Sequence, residues 1–256
     1  MFKIPTANKF DDSDICFKRT YSLCKKCAFT LAEVLITLGI IGIVAGMTLP
    51  ALIQNYRKNV VENQLKTVYS QISNAVKMAE TENGEGFEFS VGGKFENDVN
   101  NNSFEQSEAV FNTYFRKYFK IIKDYPKNNE IFISKGFAKN STATDETNYA
   151  KCVQLANGTA LCFYPKNGNR GQFLVYLKPD KKNKIDGRDV FAFRLSRDRG
   201  AFFVSQSLDS SRDKLIEGCV SPNAHPITTD WLRPDVCTFL IMQNNFEIPS
   251  DYPLSF

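Results

Sequence analysis

Twenty consecutive uncharged residues, Val34 to Ile53, follow Glu33 in this chain. Within lipid every backbone polar group must be satisfied inside the segment, so such a run can cross a membrane only as a helix. Twenty residues suffice for a hydrocarbon core about 30 Å thick. Lys25 and Lys26 lie just before the run, and the excess of basic residues on the cytoplasmic side of such helices places residues 1–28 in the cytoplasm. Everything after Tyr56 then faces the other side. The run is too long for a secretory signal peptide, and no small-residue cleavage pattern follows it. Glu33 stands in its first turn; an acid inside a spanning segment is costly and marks a functional position.

The order of residues around Glu33 carries a resemblance. Basic residues, the small Ala28, then Phe29-Thr-Leu-Ala-Glu33 and the apolar run resemble the prepilin signal of type IV pilins and type II secretion pseudopilins. The resemblance implies cleavage by a prepilin peptidase between Ala28 and Phe29 and methylation of the new amine at Phe29. It also implies that Glu33 neutralises the terminal amine of a neighbouring subunit during assembly; opposite charges that are costly singly in lipid are tolerated as a pair. Gly42 and Pro50 stand where pilins often carry glycine and proline. Pro50 removes a backbone donor and kinks a helix, and Gly42 with Gly46 forms a small-residue pair suited to close helix packing. Ala28 replaces the glycine usual before the cut, and a leader of 28 residues is long for the class. The implied partners are the peptidase, other pilin or pseudopilin subunits in a homo- or hetero-filament, an assembly platform with its ATPase, and the lipid bilayer. The implied location is the bacterial inner membrane, single-pass, with the body outside it and later on a pilus, in the periplasm or at the cell surface.

Charge and cysteine usage divide at the same place. Residues 1–28 hold six basic and three acidic side chains, leaving 26 basic and 25 acidic for the rest. A nearly neutral body lacks the basic field that nucleic-acid binding needs. Cys16, Cys24 and Cys27 precede the run and read as free cytosolic thiols, since a zinc site would need a fourth ligand and no histidine precedes His225. Cys152, Cys162, Cys219 and Cys237 follow it, an even number suited to two disulfides in an oxidising compartment.

Beyond the run the helix continues. Val61, Leu65, Val68, Ile72, Ala75, Val76 and Ala79 recur at three- and four-residue spacing, an amphipathic stripe that expects a body to pack on. Asn83-Gly84 is the stop, so the helix from Phe29 to Glu82 is about 80 Å long. Residues 84–102 read as a loop. A second helix is expected over about Ser103–Ile122, with Ser103 and Gln106 as a capping box and Phe111, Tyr114, Phe115, Tyr118 and Ile122 as its apolar face. Lys135–Ala150 reads as a loop. Cys152 to Cys162 reads as a β-hairpin turning at Ala156-Asn157-Gly158 with Gly158 left-handed, which sets the two cysteines opposite each other as one disulfide. Cys219 and Cys237 form the other, closing a loop with Pro222, Pro226 and Pro234. Further strands are expected at Phe173–Lys178, Val190–Leu195, Ala201–Ser205 and Val236–Met242. The fold class is α+β: a long N-terminal helix on a small antiparallel sheet. Its segments are a leader (1–28), a membrane and assembly helix (29–53), its amphipathic continuation (54–82) and a globular body (83–256).

Chemistry finds little purchase. Asp180, Asn183, Asp186 and Asp189 share one loop, but it carries four lysines and an arginine and lacks the spacing of a calcium-binding loop. It reads as a solvated turn, and no metal or cofactor is expected. His225 in a proline-rich stretch reads as an exposed loop residue and Trp231 as a packing residue. No G-x-S-x-G, P-loop, G-x-G-x-x-G or H-E-x-x-H pattern occurs. The expectation is a filament subunit and not an enzyme. The alternatives are an adhesive or ligand-binding module at a filament tip, marked by an exposed apolar patch away from the helix, and a membrane-tethered enzyme, which would tolerate Glu33→Ala.

Overall fold

A computed structural model of the chain describes residues 30–84, 104–127, 150–166, 170–198, 201–203, 211–220 and 233–256. It divides into two compact units, residues 1–48 and 49–256. The described part of the first, residues 30–48, is helical after Thr30. This helix, α1, is assigned over Leu31–Asn83. It stops where the sequence predicts: Gly84 takes φ +90°, a left-handed conformation open to glycine at no steric cost.

In the second unit the chain after α1 forms α2 (Phe104–Val110), a π-helical turn at Phe111–Phe115 and a 3₁₀ turn at Arg116–Tyr118. Six strands follow among the described residues: β1 (Ile121–Asp124), β2 (Lys151–Leu155), β3 (Ala160–Lys166), β4 (Arg170–Tyr176), β5 (Val190–Asp198) and β6 (Ala201–Phe203). They pair in sequence order, each antiparallel to the next. Two helices come after them among the described residues, α3 (Arg212–Val220) and α4 (Arg233–Gln243). The α+β class is as expected, and strands β4, β5 and β6 fall on three predicted segments.

The core lies between α1 and one sheet face. All seven residues of the predicted stripe, and no others of α1, are buried. They meet Phe163, Phe173, Phe191 and Phe193 from the strands and Phe111 and Phe115 from the π-turn. Phe163 and Phe173 lie opposite each other on β3 and β4, as do Phe173 and Phe193 on β4 and β5, so the period of two alone brings the rings to one face. The other face carries Cys152, Cys162, Tyr164, Leu174, Tyr176 and Ala192 in a second cluster.

The hairpin forms as the sequence predicts. Cys152 pairs with Cys162, the Leu155 N–H donates to Thr159 O at 2.8 Å, and Gly158 takes φ +86°. Asn157 Oδ1 accepts from the Thr159 N–H and Oγ1, bracing the turn.

Three expectations are corrected. The second helix is shorter than Ser103–Ile122: Phe119 is already extended (φ −111°, ψ 137°), and the β-branched pair Ile121-Ile122 enters β1. Between Ile121 and Lys123 the register slips by one residue, and Ile122, left over by this bulge, is 62% exposed instead of lying on an apolar face. Val236–Met242 is not a strand but the heart of α4. Pro234 and Asp235 in the first turn are helix-start signals, and a mostly apolar run fits either period when nearly every side is covered. Helix α3 has no counterpart among the predicted elements. Ser103 and the loops at 85–102 and 135–149 lie outside the described residues.

α4 covers the edge of β5 that β6 leaves open. The Ala192 N–H donates to Thr238 Oγ1 at 3.0 Å, taking the place of a ladder bond. Beneath it, Asp235 accepts from Gln172 Nε2 at 2.9 Å and from an Arg194 terminal nitrogen at 3.1 Å. A buried carboxylate held by a guanidinium and an amide is tolerable, and the edge is closed to further strands.

Candidate functional site: the N-terminal helix and the groove beside it

Helix α1 starts with a reciprocal cap. The Thr30 N–H and Oγ1 both donate to Glu33 Oε2 at 2.8 Å, and the Glu33 N–H donates to Thr30 Oγ1 at 3.2 Å. Two backbone donors with no helical partner are thereby satisfied. Thr30 was not singled out from the sequence, although Thr-x-x-Glu before an apolar run is the pattern of a capping box. Ala28 and Phe29 lie outside the described residues, as do Cys16, Cys24, Cys27, His225 and Trp231.

From Leu31 to Ile53 the large apolar side chains are exposed, Leu31 and Met47 by more than three quarters. A Cβ built on Gly42 or Gly46 meets nothing within 4 Å. Pro50 sits inside the helix and has no N–H to give to the carbonyl four residues back, which is that of Gly46. Thr37 and Thr48 turn their hydroxyls onto the carbonyls of Val34 and Val44 at 3.0 Å, so they add no unpaired polar group to the apolar surface. By length and composition this is a helix able to cross a membrane.

In the body, Cys152 and Cys162 are joined in a disulfide across the hairpin, and Cys219 of α3 is joined to Cys237 of α4. The loop at Lys178–Asp189 packs against this second bridge. A Cβ on Gly187 would stand 2.3 Å from Cys237 Sγ, and Gly187 takes φ +78°, so space and backbone both require glycine. The loop's acids do not converge. Asp189 is engaged by Lys181 Nζ at 2.7 Å and by Arg188 Nε at 3.4 Å, and it accepts from the Ile185 N–H. Among the described residues no three acids, cysteines or histidines come together as metal ligands. Lys184 is buried, with Nζ donating to Lys181 O at 2.7 Å; burial lowers its pKa, opposed by Asp180 and Asp189.

Between this loop and α1 lies a groove of about 530 Å³, lined by Ile53, Tyr56, Arg57, Val60, Val61 and Gln64 of the helix and by Leu177, Lys178, Lys181, Arg188, Asp189 and Phe256. The helical residues recur at three and four positions and so form one face. The groove was not legible in the sequence, because its two walls lie more than a hundred residues apart.

Residues 51–256 match a family of unknown function, DUF6613. The chain belongs to that family. Residues 23–49 of this DUF6613 member match the prokaryotic N-terminal methylation motif, so it carries a type IV pilin-like prepilin signal ahead of the family's own region. The motif spans Ala28, Phe29, Glu33, Gly42 and Gly46, and the two matches adjoin at Pro50. No curated protein and no solved structure matches the chain.

Proposed function

We propose that the chain is made as a prepilin and works as a filament subunit. Prepilin peptidase removes residues 1–28 by cutting between Ala28 and Phe29, and Phe29 becomes the methylated N-terminus. Residues 29–53 anchor the subunit in the inner membrane, 54–82 continue the helix, and 83–256 form the extracytoplasmic body. Glu33 receives the amine of a neighbouring subunit, and Gly42, Gly46 and Pro50 let the helices approach and bend. An assembly platform and its ATPase then build the subunits into a type IV pilus or a type II secretion-type filament.

The observation that carries this reading is the coincidence of the methylation motif with a helix exposed and apolar from Leu31 to Ile53. A soluble protein does not leave such a surface bare; lipid and then neighbouring helices are its natural surround.

The test is the N-terminal mass of the chain recovered from cells with and without prepilin peptidase. A peptidase-dependent start at methylated Phe29 supports the reading, whereas an intact leader in both strains reduces the motif to a tether. Glu33→Ala is expected to abolish incorporation into filaments, scored by shearing and blotting, while leaving the melting temperature of the body unchanged.

A further inference from the structure

We infer that the groove beside α1 binds the headgroup of an anionic phospholipid in the leaflet where the helix leaves the membrane. The inference rests on the reading that Val34–Ile53 crosses the bilayer. The groove opens at Ile53, the last residue of that apolar run, and climbs one face of α1 to Gln64, about 16 Å at the helical rise. Its position is therefore that of the headgroup layer.

Its lining combines two chemistries. Ile53, Val60, Leu177 and Phe256 supply apolar lining, and Arg57, Lys178, Lys181 and Arg188 add four cations to it. Set against these is Asp189, already held by Lys181 and Arg188. The side chains of Arg57 and Lys178 make no hydrogen bond or ion pair among the described residues and stand ready for a phosphate. Gln64 Oε1, also in the lining, is buried without a hydrogen-bond partner. A buried acceptor left open calls for a donor, which a headgroup hydroxyl would be. Cations beside apolar lining match a phosphodiester with its first acyl carbons, and the volume is in the range of small-molecule sites. Clustered basic residues next to a spanning helix attract anionic lipid.

The test reconstitutes the full chain into nanodiscs of phosphatidylcholine with a minor fraction of phosphatidylglycerol, and counts retained lipids by native mass spectrometry. One phosphatidylglycerol is expected to stay bound in preference to phosphatidylcholine. Neutralising Arg57 and Lys178 together (R57Q, K178Q) should lower the preference about fivefold per charge. Val60→Trp, which fills the groove and changes no charge, should abolish it. Lys58→Gln removes a neighbouring cation that does not line the groove, and should leave it nearly intact.

Preference that survives Val60→Trp, or falls as far in Lys58→Gln, would show a diffuse basic surface and overturn the site. Full displacement by soluble glycerol 3-phosphate would assign the groove to a free phosphate ester instead. Retention appearing only with dimers would assign it to a second copy. A chain that inserts into the nanodisc but shows no lipid preference defeats this inference alone; a chain that fails to insert defeats the membrane reading beneath it.

Discussion

Between Leu31 and Ile53 α1 buries no side chain, whereas between Val61 and Ala79 it buries seven. Both stretches are regular helix, so backbone conformation does not separate them. What differs is the arrangement of apolar residues. In the first they surround the axis, and no single packed face could cover them; only an apolar medium or several neighbours can. In the second they form a stripe on one side of the axis, and one sheet face covers it. The pattern of one helix thus states two environments, and the body depends on the second.

The comparison breaks if the two stretches contribute alike to the body's stability. Leu65→Ala or Ile72→Ala, each fully buried, should cost about 2–5 kcal/mol from lost transfer energy and the cavity left behind. Leu38→Ala, 60% exposed, should change the unfolding free energy from the same denaturant titration by less than about 0.5 kcal/mol. Equal effects in full-length protein would mean that the first stretch also packs on the body.

Next in size is the bridge between the terminal helices. Removing Cys219–Cys237, with 18 residues of separation, should cost about 3 kcal/mol in the chain-entropy model. The loss should appear as a lower melting temperature of the Cys219→Ser/Cys237→Ser variant, with no change in membrane association. Gly187→Ala probes the contact between that bridge and the loop lining the groove. A methyl 2.3 Å from Cys237 Sγ, at φ +78°, should cost about 2 kcal/mol, combining left-handed strain with a forced shift. An unchanged melting temperature would show that the loop can move off the bridge without loss.

Legibility in the sequence follows the range of the interactions. The seven-residue stripe, the stop at Gly84 and the turn at Asn157-Gly158 depend on neighbours in sequence, and the structure places each as read. Helix α4 is hard to tell from a strand because Val236–Ile241 is covered nearly all round, which erases the periodicity that separates the two. Its surest sign was Pro234-Asp235, a local start signal outweighed by β-branched and aromatic content. Helix α3 was missed although Ser211 and Asp213 mark a helix start in the same way. The π-turn at Phe111–Phe115 and the bulge at Ile122 answer to tertiary packing and leave no local signature. The site divides likewise. The motif residues around Glu33 are contiguous and readable, whereas the groove joins Arg57 to Lys178 and Arg188 only through the path of the sheet.

The smallest effect separates the body's surface charges from its core. Arg116 grips Asp124 through two hydrogen bonds of 2.7 and 2.8 Å, and Lys151 reaches the same carboxylate at 3.1 Å. These partners, Arg116 foremost, hold the Asp124 carboxyl well below the usual carboxylate range. A carboxyl depressed in the folded state stabilises it fully above its unfolded pKa of about 4, and the contribution fades as pH falls from there toward the folded value. With Asp124 41% exposed, solvent screening holds the gain below about 1 kcal/mol. Asp124→Asn should therefore lower stability slightly at pH 7 and make it fall less steeply below pH 4. Identical acid limbs for the two proteins in denaturant titrations would show that Asp124 is not the carboxylate that matters there. The substitution leaves α1 and its stripe untouched, so a loss as large as that from Leu65→Ala would mean that the tie between the 3₁₀ turn and β1 holds the core together as firmly as the stripe does.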